Sequence, residues 1–176
     1  HDLTICFMET VAAAAEVFNT SIEDFLFDAD IIRFSNTIGT NTIIQRDGSK
    51  IGLLLTSGME DMAPTKDGEG KTPLVDPDMV ITLSEATDSS GVVTDAPDEK
   101  EVLRAVQELV DRGARGIVVS FANSHLNAEN ERRVRRIIKA EYPRDYLGSV
   151  SVFLSSDISA RAGLVERLNN AVLNAY

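Results

Sequence analysis

The sequence of 176 residues has no tryptophan, one cysteine and two histidines. A single cysteine, Cys6, cannot close an internal disulfide and fits a reducing compartment, so a cytoplasmic location is expected. It lies among Ile5, Phe7 and Met8 and reads as a small buried core residue rather than a nucleophile. Cys6, His1 and His125 make no local motif of the kind a zinc site needs, so no metal site is assigned. The adjacent carboxylates Glu60 and Asp61 read as solvated rather than as a cation site. Ser155-Ser156 lacks a nucleophile elbow and has no histidine near it in sequence, which leaves serine-hydrolase chemistry unsupported. Basic residues are also scarce. Seventeen Lys and Arg against 28 Asp and Glu leave a formal net charge of −11. That balance argues against binding a phosphate backbone, which needs clustered Lys and Arg. No apolar run approaches the ~20 residues of a membrane span, and no signal or transit peptide is visible.

What is present is the composition of a globular protein. The hydrophobic fraction is 43% and the mean hydropathy −0.05, and a chain of this length reads as a single domain over residues 1–176 with a sizeable core. Three continuous apolar runs, Ile51–Leu55, Ile117–Phe121 and Val150–Leu154, have the character of strands covered on both faces. Shorter strands are expected at Ile31–Phe34 and Val80–Leu83. Helical periodicity runs through Ile5, Met8, Val11, Ala12, Ala15 and Phe18, and Ser21-Ile22-Glu23-Asp24 reads as a capped helix start. Further helices are expected over Thr40–Arg46, after Pro97-Asp98 up to Gly113, and after Asn127 up to Pro143. A last helix carries Leu164, Leu168, Val172 and Leu173. Strands alternating with helices imply an α/β fold, doubly wound, with a mainly parallel sheet and helices on both faces. Residues 57–78 break the pattern: rich in Gly, Pro, Lys and Asp and without a periodic apolar face, they read as a long mobile loop.

In such a sheet, ligands bind at the C-terminal ends of the strands. Three loops qualify: Asn36–Asn41, Thr56–Asp61 and Ala122–Leu126. The first belongs to the run Ser35-Asn36-Thr37-Ile38-Gly39-Thr40-Asn41-Thr42-Ile43-Ile44-Gln45-Arg46. Its Thr37, Thr40 and Asn41 gather hydroxyl and amide groups where a helix begins, a place that favours an anion or a carbonyl oxygen. They are the candidate residues of a substrate or nucleotide cleft. His125 is the only internal histidine; it reads either as a residue that packs its loop or as a candidate for proton transfer or a hydrogen bond to substrate, since imidazole titrates near neutrality. The Arg132, Arg133, Arg135 and Arg136 cluster reads as a solvated helix face. From Asp2 to Asp30 there are seven acidic residues and no basic one, a solvated face or a docking surface for a basic partner.

The run Ser35–Arg46 resembles the Gly-Thr-Thr-x-x-Thr-Asn-Ala-Leu-Leu-x-Arg signature of the hydantoinase A/oxoprolinase family. Ser35 and Asn36 stand where the family carries Gly-Thr, leaving Thr37, Thr40 and Asn41 in register. Three further stretches follow in the family's order. They are Lys50–Asp61 (KIGLLLTSGMED), Gly116–Val134 (GIVVSFANSHLNAENERRV) and Val152–Tyr176 (VFLSSDISARAGLVERLNNAVLNAY).

The resemblance implies part of an actin-like ATPase (ribonuclease H-like) superfold lacking its first strands. Their Asp-x-Gly-Gly-Thr phosphate loop is not found in this sequence, so an internal piece of a larger polypeptide is expected, inactive in isolation. It also implies ATP and Mg2+, and an enzyme that activates a small carbonyl substrate by phosphorylation. Partner subunits of the hydantoinase B type are implied as well. Gly58-Met59-Glu60-Asp61 and Asn169-Asn170 are more similar to the ketone carboxylase branch. The other branch hydrolyses cyclic amides such as hydantoins or 5-oxoproline. A non-catalytic subunit-assembly domain is the reading from a different class.

Overall fold

The apolar runs at Ile51 and Ile117 become the two central strands of the sheet. The computed structural model describes residues 3–31, 38–45, 47–64, 73–142 and 150–176, in two compact units, residues 1–37 and 38–176.

The first unit holds helices α1 (Leu3–Val17) and α2 (Ile22–Phe27). Asn19 takes a left-handed backbone, φ 52°. The Thr20 amide then closes the end of α1 on the Ala15 carbonyl at 3.1 Å, a Schellman-type stop. Ser21 caps α2 as expected, its hydroxyl accepting from the Asp24 amide at 3.0 Å. Of the apolar stripe on α1, Val11 and Ala15 are buried, whereas Ile5, Met8 and Phe18 are exposed. Cys6 is exposed too, which corrects its reading as a core residue: the apolar neighbours in sequence fall on different sides of the helix.

The second unit opens with α3 (Ile38–Gln45), two residues earlier than the expected start at Thr40, and continues into β1 (Ile51–Thr56). Next come β2 (Val80–Leu83), the hairpin β3 (Ala86–Thr87) with β4 (Val93–Asp95), α4 (Glu99–Asp111), β5 (Gly116–Ser120) and α5 (Glu129–Glu141). The chain then runs through β6 (Ser151–Leu154), the single turn α6 (Ser155–Ile158) and α7 (Leu164–Ala175). The sheet is parallel throughout, in the order β2-β1-β5-β6, with Leu54 opposite Val119 and Val118 opposite Phe153. The first two apolar runs are thus adjacent and central, and the third, half-buried, pairs with β5. The predicted strand at 31–34 and the helix stop at Pro143 fall on or run into residues outside the described ones.

Why the helices lie where they do follows from the pleat. A Cβ on Gly52 would sit 2.8 Å from the Leu109 Cδ1 of α4 and 3.0 Å from the Ile117 Cδ1, so the Gly52 side of the sheet faces α4. Right-handed crossovers put α4 and α5 on that same face, where they pack on each other. Leu53 and Val118 point the opposite way and are equally buried. α7 packs on β5 and β6 with Leu168, Ala171 and Val172 inside. The doubly wound α/β architecture expected from the sequence is the observed one.

The described ends of the 57–78 segment are built on two 3-10 turns, Glu60–Met62 and Pro77–Met79, with Ala63, Val75 and Met79 buried. Between them, residues 65–72 lie outside the described ones.

Candidate functional site

The strand order changes direction at β1. Its connection leads to β2 on one side, whereas β5 on the other side leads on through α5 to β6. That is a topological switch point, and the crevice outside the carboxyl ends of β1 and β5 is where such sheets take ligands. Two of the three loops singled out in the sequence meet there. The Thr56 hydroxyl at the end of β1 accepts the Ala122 amide of the loop after β5 at 2.9 Å.

The same Thr56 hydroxyl donates a hydrogen bond to a buried carboxylate, Glu85 Oε1, at 2.5 Å. The other oxygen, Oε2, accepts from Asn130 Nδ2 at 2.8 Å, and the same amide reaches the Asp95 carbonyl at 2.8 Å. Glu85 is 6% exposed. Burial pushes its carboxyl above the usual value; the Thr56 and Asn130 bonds pull it down, and the Glu131 and Asp95 charges push it up. The hairpin is tied to the same loop, since Asn123 Nδ2 donates to the Thr87 carbonyl at 2.8 Å. Asn123 itself is left-handed, φ 56°.

Glu131 and Arg167 are both fully buried, at 0% exposure. Glu131 Oε1 accepts from the Phe121 amide at 3.0 Å and from Ser155 Oγ at 2.7 Å. Its Oε2 accepts from the Ser156 amide at 3.1 Å and hydroxyl at 2.6 Å. One carboxylate therefore joins α5 to the ends of β5 and β6. Arg167 on α7 donates from Nη2 to the Phe121 carbonyl at 3.1 Å. Its Nη1 donates to the Arg161 and Ala162 carbonyls at 2.8 and 2.7 Å and lies 3.3 Å from His125 Nδ1. Burial draws the guanidinium below its ordinary pKa and the Glu131 charge opposes this. Ser120 Oγ, Ser124 Oγ and Arg167 Nε are buried with no hydrogen-bond partner.

A family model described as hydantoinase/oxoprolinase N-terminal region matches residues 7–142. The chain belongs to the hydantoinase/oxoprolinase family. Among relatives, the gamma subunit of acetophenone carboxylase from Aromatoleum aromaticum is 39% identical, covering 100% of this chain and 26% of its own length. A nucleotide-free structure of acetone carboxylase, an enzyme of ATP-dependent acetone carboxylation, superposes with a TM-score of 0.71 at 30% identity. It covers 81% of this chain and 22% of that one. An ATP-dependent caprolactamase from Pseudomonas jessenii shares the fold, with a TM-score of 0.79 at 22% identity over 96% of this chain and 26% of that one. The chain thus spans about a quarter of the length of these hydantoinase/oxoprolinase relatives.

Of the residues singled out in the sequence, His125 lies in the switch-point loop, half-buried and against Arg167. Thr40 and Asn41 fall in the first turn of α3, both exposed. Thr37 lies outside the described residues. Glu60 sits on a surface turn and accepts the Gly58 amide at 3.3 Å. Among the described residues, no group of three His, Cys, Asp or Glu is placed to hold a metal ion, and no helix is long and apolar enough to cross a membrane. The four arginines of α5 are largely exposed: Arg136 pairs with Glu129 at 2.6 Å, Arg135 with Asp157, and Arg133 Nε holds the Pro97 carbonyl at 3.0 Å.

Sequence reasoning did not single out Glu85, Glu131 or Arg167. A signal for two of them was there. Glu131 stands three and seven residues before the inward Val134 and Ile138, and Arg167 four before Ala171, so both charges ride on apolar stripes.

Proposed function

We propose that this chain is part of an ATP-dependent enzyme that activates a carbonyl oxygen by phosphorylation, as a subunit of a ketone carboxylase. The observation that carries the reading is the similarity to the acetophenone carboxylase gamma subunit along the whole chain. The structure adds a reason why this region would matter to such chemistry. Phosphoryl transfer depends on positioning and electrostatics more than on covalent protein groups. The switch-point crevice is framed by a loop whose backbone is held by Thr56, Glu131 and Arg167. On this reading Thr37, Thr40 and Asn41 line the substrate or nucleotide cleft. The N-terminal end of α3 favours an oxygen that gains negative charge.

ATP with Mg2+ would supply the phosphoryl group. The described residues do not by themselves fit that cofactor. They form no cluster for a cation, and the buried guanidinium of Arg167 is committed to three carbonyls. On this reading the phosphate loop and most Mg2+ contacts come from polypeptide beyond this region, and subunits of the hydantoinase B type are its proposed partners.

ATP hydrolysis by the full-length protein with its partner subunits tests the reading. Hydrolysis should rise on adding acetophenone or acetone with bicarbonate. Stimulation by caprolactam or 5-oxoproline instead would transfer the assignment to cyclic-amide hydrolysis. No stimulation by either class would favour a non-catalytic assembly role.

A further inference from the structure

Residues 85–97, between β2 and α4, form an arm outside the main sheet. Among the described residues, β3 and β4 pair with each other and with no strand of that sheet. Both ends of the arm are pinned at the first turn of α4. The Ser84 amide donates to Glu101 Oε1 at 3.1 Å, and Asp98 caps the helix by accepting the Glu101 amide at 3.1 Å. The tip is closed on itself. The Asp88 carboxylate accepts the Ser90 and Val92 amides at 2.8 and 2.9 Å, and the Asp88 amide donates to the Val92 carbonyl at 2.9 Å.

Side chains of one strip fasten the arm to the body through the arm's own backbone carbonyls. Asn123 Nδ2 donates to Thr87 at 2.8 Å and Asn127 Nδ2 to Gly91 at 2.9 Å. Asn130 Nδ2 donates to Asp95 at 2.8 Å and Arg133 Nε to Pro97 at 3.0 Å. These donors recur every three or four residues from the loop after β5 into α5, so they grip the arm along its length. At its root, Glu85 bonds Thr56 and Asn130, which sets the arm over the end of β1, at the switch point. Apolar cover is thin. Val92 is 57% exposed and Ala86 and Val93 are half-buried, whereas every residue from Ile51 to Leu55 is buried. Hydrogen bonds are exchanged with water at small net cost; buried apolar area is not. Such an attachment opens before the sheet does, and the bonds within the tip let the arm move without unfolding.

We propose that residues 85–97 are a hinged strap over the switch-point crevice, turning about Ser84 and Asp98 and latched by Asn123, Asn127, Asn130 and Arg133. Closed, it keeps Glu85 and Asn130 from solvent, at 6% and 2% exposure. Opened, it releases the Thr56 hydroxyl, the Asn130 amide and the Glu85 carboxylate at the end of β1. The device stands on these contacts and is independent of which substrate the enzyme takes.

Thiol labelling of the full-length protein with its partner subunits tests the strap, read by mass spectrometry on the peptide that carries the new cysteine. Thr87→Cys puts a thiol at a buried position of the arm, and Val119→Cys puts one in the core of β5 as the measure of global unfolding. The thiol at 87 should label at least about tenfold faster than the one at 119, because the strap opens on its own. Asn123→Gly tolerates the left-handed backbone at φ 56° and deletes one donor. It should speed labelling at 87 about fivefold, the worth of one ordinary hydrogen bond. Asn127→Asp keeps the oxygen that accepts the Glu129 amide and removes the donor to Gly91. It acts at the tip, yet should speed labelling at 87 at least as much, and the two substitutions together should multiply. Arg136→Gln, which loses a solvent ion pair on α5, should change nothing. Equal labelling rates at 87 and 119 would mean that the arm opens only with the whole fold. An Asn127→Asp effect that leaves residue 87 unmoved would mean local fraying and no hinged strap. Either result would overturn the proposal.

Discussion

Replacing Glu131 by glutamine changes one atom and should nonetheless loosen the end of the sheet. Each carboxylate oxygen faces a backbone amide that cannot turn away, Phe121 N–H on one side and Ser156 N–H on the other. Glutamine can accept on one side only; its NH2 must meet the other amide donor to donor. The serine hydroxyls at 2.7 and 2.6 Å can re-aim and accept from that NH2, so part of the loss is recoverable. What is not recoverable is one charge-assisted bond to a buried amide, about 1.5–3 kcal/mol, together with the negative charge that opposes the desolvation of Arg167. The expected cost is ~3 kcal/mol, a large share of the ~5–15 kcal/mol that stabilises an ordinary domain. Glu129→Gln on the same helix is the control. That exposed side chain pairs with Arg136 in solvent, and its loss should leave stability nearly unchanged. Native-state hydrogen exchange of the β5 and α5 amides in the full-length protein reads both values. Equal, small effects of the two substitutions would refute the argument that Glu131 is the buried junction of β5, β6 and α5.

Three further outcomes follow from the same geometry. Glu85 binds its proton more tightly folded than unfolded. Its contribution to stability is therefore greatest below the ordinary carboxyl value of 4.5 and declines as pH rises through the raised folded value. A pH series of unfolding should show that slope in the parent and lack it in Glu85→Gln. Gly52→Ala should destabilise by ~1–3 kcal/mol through overpacking, because the new methyl meets Leu109 and Ile117 inside a closed core; an unchanged melting temperature would contradict the close approach. Thr40→Val and Asn41→Ala should raise the catalytic barrier by ~3 kcal/mol if they serve a developing oxyanion, while an ordinary cap loss costs ~1 kcal/mol of stability. Steady-state turnover beside thermal unfolding separates the two.

The sheet was legible because its central strands are apolar without interruption. Ile51–Leu55 and Ile117–Phe121 could only be strands covered on both faces, and α4 announced itself through Asp98, which accepts the Glu101 amide at 3.1 Å, and through Gly113 at φ 95°. That the loops after Thr56 and Phe121 lie side by side followed from the same reading. The buried charges were less legible. Glu131 and Arg167 sit in the strings Asn-Glu-Arg-Arg and Val-Glu-Arg, which look solvated, and their partners lie many residues away in the chain. Burial of a charge is a tertiary property: local pattern marks the face it lies on, and only the fold supplies the donors that make it tolerable. Cys6 failed in the opposite direction, because apolar neighbours in a helix do not share its face.

The central claim, that this chain serves ATP-dependent activation of a ketone for carboxylation, is tested most directly by isotope incorporation. The full-length protein with its partner subunits, ATP, Mg2+, acetophenone and 14C-bicarbonate should yield acid-stable radiolabelled product, and omission of ATP should abolish it. No incorporation with any ketone, alongside ATP-dependent ring opening of caprolactam or 5-oxoproline by the same preparation, would contradict the account.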